Sequence, residues 1–314
     1  IYSAGLGRKD QNQKVIFGSI QSIARAQDEF FREFSLLIID ECHRVSDEGE
    51  TQYQQVITQL QATNPELCVL GLTATPYRLG LGWIYEYNSA RKELKTTQPR
   101  FFKKCIFELS IQTMIDDGFL TPPVRIDSPV ASYDFSALEL KGGRFVISEI
   151  EKTLKDQKRI TPLIIRNIVE MAEDRQGVMI FTSSVRHATE IMASLPPFVS
   201  ALVVGETSSQ DREDTIQAFK ERKLKFLVNV SVLTTGFDAP HVDVIAILRP
   251  TESVSLYQQI VGRGLRLSPG KQDCLILDYT GQTHDVFSPE VGNARPNSQA
   301  VMVKVDCPAC GHEN

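Results

Sequence analysis

The residues best placed to do chemistry are two adjacent acids, Asp40 and Glu41, followed at once by Cys42 and His43, and two arginines three apart, Arg263 and Arg266. Neighbouring carboxylates at the end of an apolar run suit a divalent ion and a positioned water. Hard oxygens hold magnesium, and a second carboxylate can orient or deprotonate the nucleophile. Arg263 lies between Gly262 and Gly264. Arginines in such a setting suit the charge that builds on a transferring phosphoryl group, where one guanidinium is worth about 10³ to 10⁵ in rate. Each pair also has a plainer reading, a solvated turn capping a helix for the acids and a structural ion-pair cluster for the arginines. The rest of the chain separates these readings.

The acids close the run Ser35-Leu36-Leu37-Ile38-Ile39. Four apolar residues in a row, Leu36 to Ile39, predict a strand buried on both faces, as in parallel sheets, with the acids on the rim where α/β proteins bind ligands. Upstream, residues 14–19 read as a strand and 20–25 as the helix after it. Ser19 and Gln21, in the turn between them, could donate to a phosphate. Downstream, Tyr53, Val56, Ile57 and Leu60 fall at i, i+3, i+4 and i+7, the apolar stripe of an amphipathic helix that Asn64-Pro65 ends. Residues 67–72 form another strand, stopping in Thr73-Ala74-Thr75-Pro76. Its two hydroxyls can bond a neighbouring carboxylate or phosphate while the proline fixes the exit direction. Residues 80–104 mix Trp83 and tyrosines with basic residues, either a stacking surface for bases or a core anchor under a loop. A helix over 111–117 and the diproline at 122–123 mark the expected crossing between units. No organisation is legible over 130–158.

From Thr161-Pro162, an N-cap followed by a first-turn proline, a second alternation begins. Ile164, Ile165, Ile168, Val169 and Ala172 make a buried helix face. Strands are expected at 178–181, 199–204, 225–230, 242–248 and 274–277, with helices over 185–195, 212–221 and 253–261. Such alternation predicts a parallel sheet with right-handed crossovers. The fold class is α/β with two such units, the first cut short at its amino end: 1–122, 123–285, and a linker with the start of a zinc ribbon over 286–314. Thr234 and Thr235 follow a strand and can donate to phosphate. Gly236 permits close backbone approach, and Asp238 can accept from a ribose hydroxyl or an arginine.

Bulk properties restrict the function classes. The chain has 314 residues, 42% of them hydrophobic and 23% charged, with a formal net charge of −5. That charge gives no global grip on nucleic acid, so any such contact rests on local donors. No apolar run approaches the roughly 18 residues of a membrane helix and no signal-peptide pattern is present, so no membrane partner is expected. Cys42, Cys68, Cys105 and Cys274 lie singly in or beside strands, which fits buried thiols in a reducing cytosol. Cys307 and Cys310 have the C-x-x-C-G form of half a zinc site.

Taken in order, Asp-Glu-Cys-His, Thr-Ala-Thr-Pro, the strand ending in Thr182-Ser183, Thr-Thr-Gly-Phe-Asp and Gln259-x-x-Gly-Arg-x-x-Arg266 resemble the superfamily 2 helicases. Leu-Leu-Ile-Ile-Asp-Glu-Cys-His-Arg and Leu-Thr-Ala-Thr-Pro-Tyr-Arg-Leu-Gly are similar to the RadD type of bacterial DNA-repair proteins, over most of the chain. The resemblance implies two RecA-like domains, the first truncated, ATP and Mg²⁺ as cofactors, and ATP hydrolysis coupled to DNA, single-stranded or branched. A link to single-strand-binding protein and a bacterial cytoplasmic, nucleoid-associated setting are implied as well. It further implies that Asp40 holds magnesium, Glu41 polarises water and His43 couples the site to the second unit. Thr73 and Thr75 would link nucleotide state to strand binding. Thr182, Ser183, Thr234 and Thr235 would touch the nucleic-acid backbone, while Gln259, Arg263 and Arg266 would reach the phosphates. Zn²⁺ is implied for a complete ribbon. One departure stands out: no Gly-x-x-x-x-Gly-Lys-Ser/Thr occurs, so the amide cradle and lysine for the β- and γ-phosphates are missing. In the family that loop lies upstream. The chain, which opens without methionine, is therefore expected to be a fragment that does not hydrolyse ATP alone. A restriction-system motor and a nucleotide-independent nucleic-acid-binding scaffold are the alternatives.

Overall fold

The computed structural model describes residues 1–32, 34–47, 51–127, 131–141, 144–230, 237–282, 284–287 and 291. Strand β1 (Leu36–Asp40) pairs in parallel with β2 (Cys68–Leu72), in register from Leu36↔Cys68 to Asp40↔Leu72. Helix α1 (Gln52–Thr63) makes the crossover. Thr51 caps it, its hydroxyl accepting from Gln54 N, and the predicted stripe of Val56, Ile57 and Leu60 is buried. Parallel pairing brings the carboxyl ends of both strands to one rim, so Asp40 and Thr73 become neighbours.

The expectation that the acidic strand is buried on both faces does not hold. Leu37 and Ile39 pack under α1, but Leu36 and Ile38 remain 49% and 54% exposed, and Leu72 at the end of β2 is 49% exposed. Among the described residues no element covers that face. The strand expected over 14–19 is likewise reduced, to one bridge between Tyr2 and Gly18. Val15 and Phe17 stay exposed, and alternating side chains without a covering layer do not hold a ladder.

Between the two sheets, Trp83 is an anchor rather than a stacking platform. Its ring meets Tyr77 and Tyr85 at centroid distances of 5.6 and 5.5 Å, and the Lys95 ammonium sits 4.6 Å above it. The basic residue beside it, Arg100, is buried, pairs with Asp47 and donates to the carbonyls of Trp83 and Leu81. Cys42 is buried as expected, but Cys68 is exposed at the start of its strand; these two, Cys105 and Cys274 are all free thiols.

The second sheet has six strands, all parallel: β3 (Pro123–Asp127), β4 (Val178–Thr182), β5 (Ser200–Val203), β6 (Phe226–Asn229), β7 (Val244–Leu248) and β8 (Cys274–Asp278). Their spatial order is β3-β8-β7-β4-β6-β5. Four helices cover it: α2 (Thr161–Met171), α3 (Val185–Met192), α4 (Ser209–Lys220) and α5 (Val254–Gly262). One face packs against Ile164, Ile165, Ile168, Ala188 and Ile191 from α2 and α3. The other takes Phe219, Tyr257, Ile260 and Val261 from α4 and α5. Both faces being covered explains why the central strands read as unbroken apolar runs. Thr161 is not the N-cap; a 3-10 turn over Lys158–Ile160 runs straight into α2, and the Thr161 hydroxyl meets that of Tyr133 at 2.9 Å instead. The stretch 130–158, illegible in sequence, contributes Tyr133 and Phe135 to the core and a helix over Ile147–Asp156. Among the described residues no helix is long and apolar enough to cross a membrane.

Candidate active site

Asp40 ends β1 exposed, and the chain then turns sharply because Glu41 adopts the left-handed conformation, φ 52° and ψ 44°. A non-glycine residue held there costs on the order of 1 to 3 kcal/mol. The turn is fixed by the Asp40 carboxylate, whose Oδ1 accepts from Glu41 N at 2.9 Å. Cys42 is pinned beneath by close packing: a side chain at Gly71 of β2 would lie 2.7 Å from the Cys42 sulfur. His43 then faces the end of β2, with Nδ1 2.9 Å from the Thr73 hydroxyl, 3.4 Å from that of Thr75 and 3.3 Å from Glu41 Oε2. Thr75 N donates to the Thr73 hydroxyl, and Thr75 is buried.

Charge follows from this packing. Burial, together with the charges of Arg44 and Arg78, lowers the pKa of His43, which favours a neutral imidazole bridging Glu41 and Thr73. Burial and the adjacent Asp40 raise the pKa of Glu41, while Arg263 opposes the shift. Arg263 in turn is lowered by burial and by Arg266, and supported by Glu41 and Asp238. Glu41 and Arg263, 222 residues apart in sequence, thus lie within reach of each other's charge.

On the arginine side, Ser253 caps α5 by accepting from Leu256 N, and the helix ends at Gly262. Arg263 and Arg266 thus do not share a helix face. They converge through the loop that follows: Arg263 Nη1 donates to Phe237 O at 2.6 Å, and Arg266 Nη1 donates to the same carbonyl at 2.8 Å and to Asp238 Oδ1 at 2.5 Å. The flanking glycines divide their roles. Gly262 has open space where a side chain would go, whereas a side chain at Gly264 would lie 2.3 Å from the Cys274 sulfur and 2.8 Å from Ile245. Gly264 lets the loop press onto the sheet rather than onto a ligand.

Comparison with known proteins agrees with this two-sided arrangement. Residues 2–78 match the family described as type III restriction enzyme, res subunit, and residues 161–268 match the helicase conserved C-terminal domain. Both matches are to the superfamily 2 helicase pattern. A Schizosaccharomyces pombe protein named as the mitochondrial ATP-dependent helicase irc3 is 31% identical over 252 residues, 78% of this chain. The EcoAI type I restriction endonuclease subunit of Escherichia coli is 22% identical over 82% of this chain. The chain spans 38% of the length of the S. pombe relative and 33% of the EcoAI subunit. Among solved structures, a fragment assigned as an HsdR subunit from Vibrio vulnificus superposes with a TM-score of 0.60 at 24% identity, covering 89% of this chain and 50% of that one. Yeast Dbp5 bound to RNA and ADP BeF3 superposes at 0.50 with 15% identity, covering 87% and 62%. These likenesses show the shared two-unit α/β fold.

Other residues singled out in the sequence are divided between the described and the undescribed parts of the chain. Thr182, which the resemblance places on the nucleic-acid backbone, is fully buried, and its hydroxyl donates to Asn229 O at 3.1 Å. Ser183 is half-buried, its hydroxyl 3.4 Å from Leu248 O. Ser19 donates to the Ser22 hydroxyl, and Gln21 is exposed. Gln259 is half-buried on α5. Thr234, Thr235 and Gly236 lie outside the described residues, as do Cys307, Cys310 and the zinc ribbon they were expected to begin. Among the described residues no group of three or more His, Cys, Asp or Glu could hold a metal ion. Asp40 and Glu41 do offer the one or two hard oxygens that magnesium takes from a protein when it keeps several waters.

Three contacts were not anticipated. The Tyr77 hydroxyl donates to Gln258 Oε1, joining the segment after Thr-Ala-Thr-Pro to α5. Arg78 Nη1 reaches Val45 O at 3.3 Å, tying the same dipeptide to the acid turn. Gln258 Nε2 also donates to Val286 O at 2.8 Å. The only available signal was position: Tyr77 and Arg78 directly follow the threonines, and Gln258 precedes Gln259.

Proposed function

We propose that this chain carries the catalytic cleft of an ATP-driven DNA translocase, a helicase-like ATPase that couples hydrolysis to movement along DNA. The observation that supports it is Asp40 and Glu41 at a strand end with His43 bonded toward Thr73, and the Tyr77 hydroxyl on Gln258 that joins this side to the helix before Arg263. Asp40 would hold a magnesium ion through its coordinated water, and the ion would neutralise phosphate charge. Glu41, fixed by its left-handed turn, orients the attacking water. Arg263 and Arg266 leave Phe237 O and Asp238 for the phosphates. His43, Thr73 and Thr75 relay the state of the cleft along the ends of β1 and β2.

DNA is the proposed track because relatives named for type I restriction span most of this chain, and a DNA-bound LlaBIII restriction-modification enzyme superposes at a TM-score of 0.52 over 83% of it. Within that class we assign the chain to DNA recombination and repair of the RadD type, on the Asp-Glu-Cys-His-Arg and Thr-Ala-Thr-Pro-Tyr-Arg strings; single-strand-binding protein is the partner this assignment implies. A restriction motor is the second reading, favoured by the family match over residues 2–78. A nuclease activity in the whole protein would select it.

The test is DNA-stimulated ATP turnover of the full-length protein. Glu41→Gln and Arg266→Ala should each lower kcat by about 10³ or more. Unchanged turnover in either variant would remove the residue from the assignment.

A further inference from the structure

The arginine loop is held from beneath by a lysine for which the sequence gave no role. Lys271 sits at the end of a turn closed by its own N–H on Ser268 O at 3.1 Å, with Gly270 at φ 79°. Its ammonium donates to Gly264 O at 2.6 Å, Arg266 O at 2.7 Å and Pro240 O at 3.2 Å. An ammonium has three N–H donors, and here all three go to backbone carbonyls. Burial lowers its pKa, the nearby Arg266 charge adding to the shift.

Those carbonyls belong to the two loops that carry the arginine chemistry. One runs through Phe237 and Asp238 to Pro240; the other runs from Gly264 to Arg266. In the structure the same loops are also joined by the guanidiniums on Phe237 O and Asp238. Each guanidinium has five N–H donors, and the ones engaged here are on Nη1; a phosphate that takes those donors breaks this tie. It does not break the lysine tie. A separate anchor, Thr121 N on Leu265 O at 2.7 Å, keeps the loop attached to the segment before β3, so the fold does not depend on Lys271.

We propose that Lys271 is a positioning residue: its ammonium locks the 264–266 loop to the 237–240 loop, so that Arg263 and Arg266 can exchange Phe237 O and Asp238 for a phosphate without the loop shifting. The role in catalysis rests on the phosphoryl-transfer reading above; the clamp itself does not.

Two measurements test it. Hydrogen exchange on the 314-residue chain should show Lys271→Met losing amide protection by about tenfold or more over 262–268 and 239–242, with β4, β6, β7 and β8 unchanged. Unaltered exchange in those loops, or uniform loss across the sheet, would overturn the clamp. In full-length protein, Lys271→Met should lower kcat on the order of tenfold, and on a background lacking both guanidiniums (Arg263→Ala with Arg266→Ala) it should cause no further loss. Additive losses would mean that Lys271 does not act through the arginines. A wild-type protein without ATP turnover would instead sink the phosphoryl-transfer reading, while the exchange result would still decide the clamp.

Discussion

Gly264 offers a measurement of how the arginine loop is seated. A methyl group there would lie 2.3 Å from the Cys274 sulfur, 2.8 Å from Ile245 Cγ1 and 3.4 Å from Ile245 Cδ1. Ordinary contacts begin near 3.5 Å, so the overlap is about 1 Å. Neither neighbour can yield: both are fully buried on the adjacent strands β7 and β8. The loop must therefore lift, stretching the Lys271 bond to Gly264 O and carrying both arginines from Phe237 O. Overpacking of this kind costs about 1 to 3 kcal/mol. Urea unfolding of Gly264→Ala should give a lower midpoint at unchanged slope. Adding Cys274→Ala removes the nearest obstacle, so the double variant should be more stable than the two separate losses sum to. Additivity within about 0.5 kcal/mol would refute the steric account, as would a Gly264→Ala chain of wild-type stability.

Two further outcomes follow from buried groups. His187 is 3% exposed, its Nε2 3.2 Å from the Tyr133 hydroxyl, and burial pushes its pKa to about 4. With an unfolded value near 6.5, the folded state takes up its proton less readily. Stability from this residue is thus complete above about 6.5 and falls by about 3 kcal/mol as pH drops toward 4; His187→Leu should flatten that part of a denaturation-against-pH profile. Thr182→Val should cost about 1 kcal/mol of stability through the lost bond to Asn229 O while leaving DNA affinity unchanged, and weaker DNA binding at unchanged stability would show that the hydroxyl is presented to the strand after all.

The sequence alone determined most of the elements, because their signals are local. The unbroken apolar runs of β4, β7 and β8 reflect burial on both faces, and the stripe Val56, Ile57, Leu60 reflects burial on one. Motif order, from Asp-Glu-Cys-His through Gln-x-x-Gly-Arg-x-x-Arg, was enough to point to the helicase superfamily. What a run of residues does not contain is its neighbour. The same apolar signature placed Leu36 and Ile38 in a double-sided core, yet no described element covers them, and nothing in the strand itself told that the carbonyl of β6 takes the Thr182 hydroxyl. Arg263 and Arg266, three apart, would share a face if helical; the helix ends at Gly262, and tertiary packing joins them at one carbonyl instead. Tyr77 and Gln258 carried no signal beyond their place beside motif residues, and Lys271 none, since a hydrogen bond between residues 181 apart, or an ammonium among three carbonyls, exists only once strands and loops have been brought together. The sequence named the chemical groups, and the parallel pairing of β1 with β2 and the seating of the arginine loop on β7 and β8 decided which of them meet.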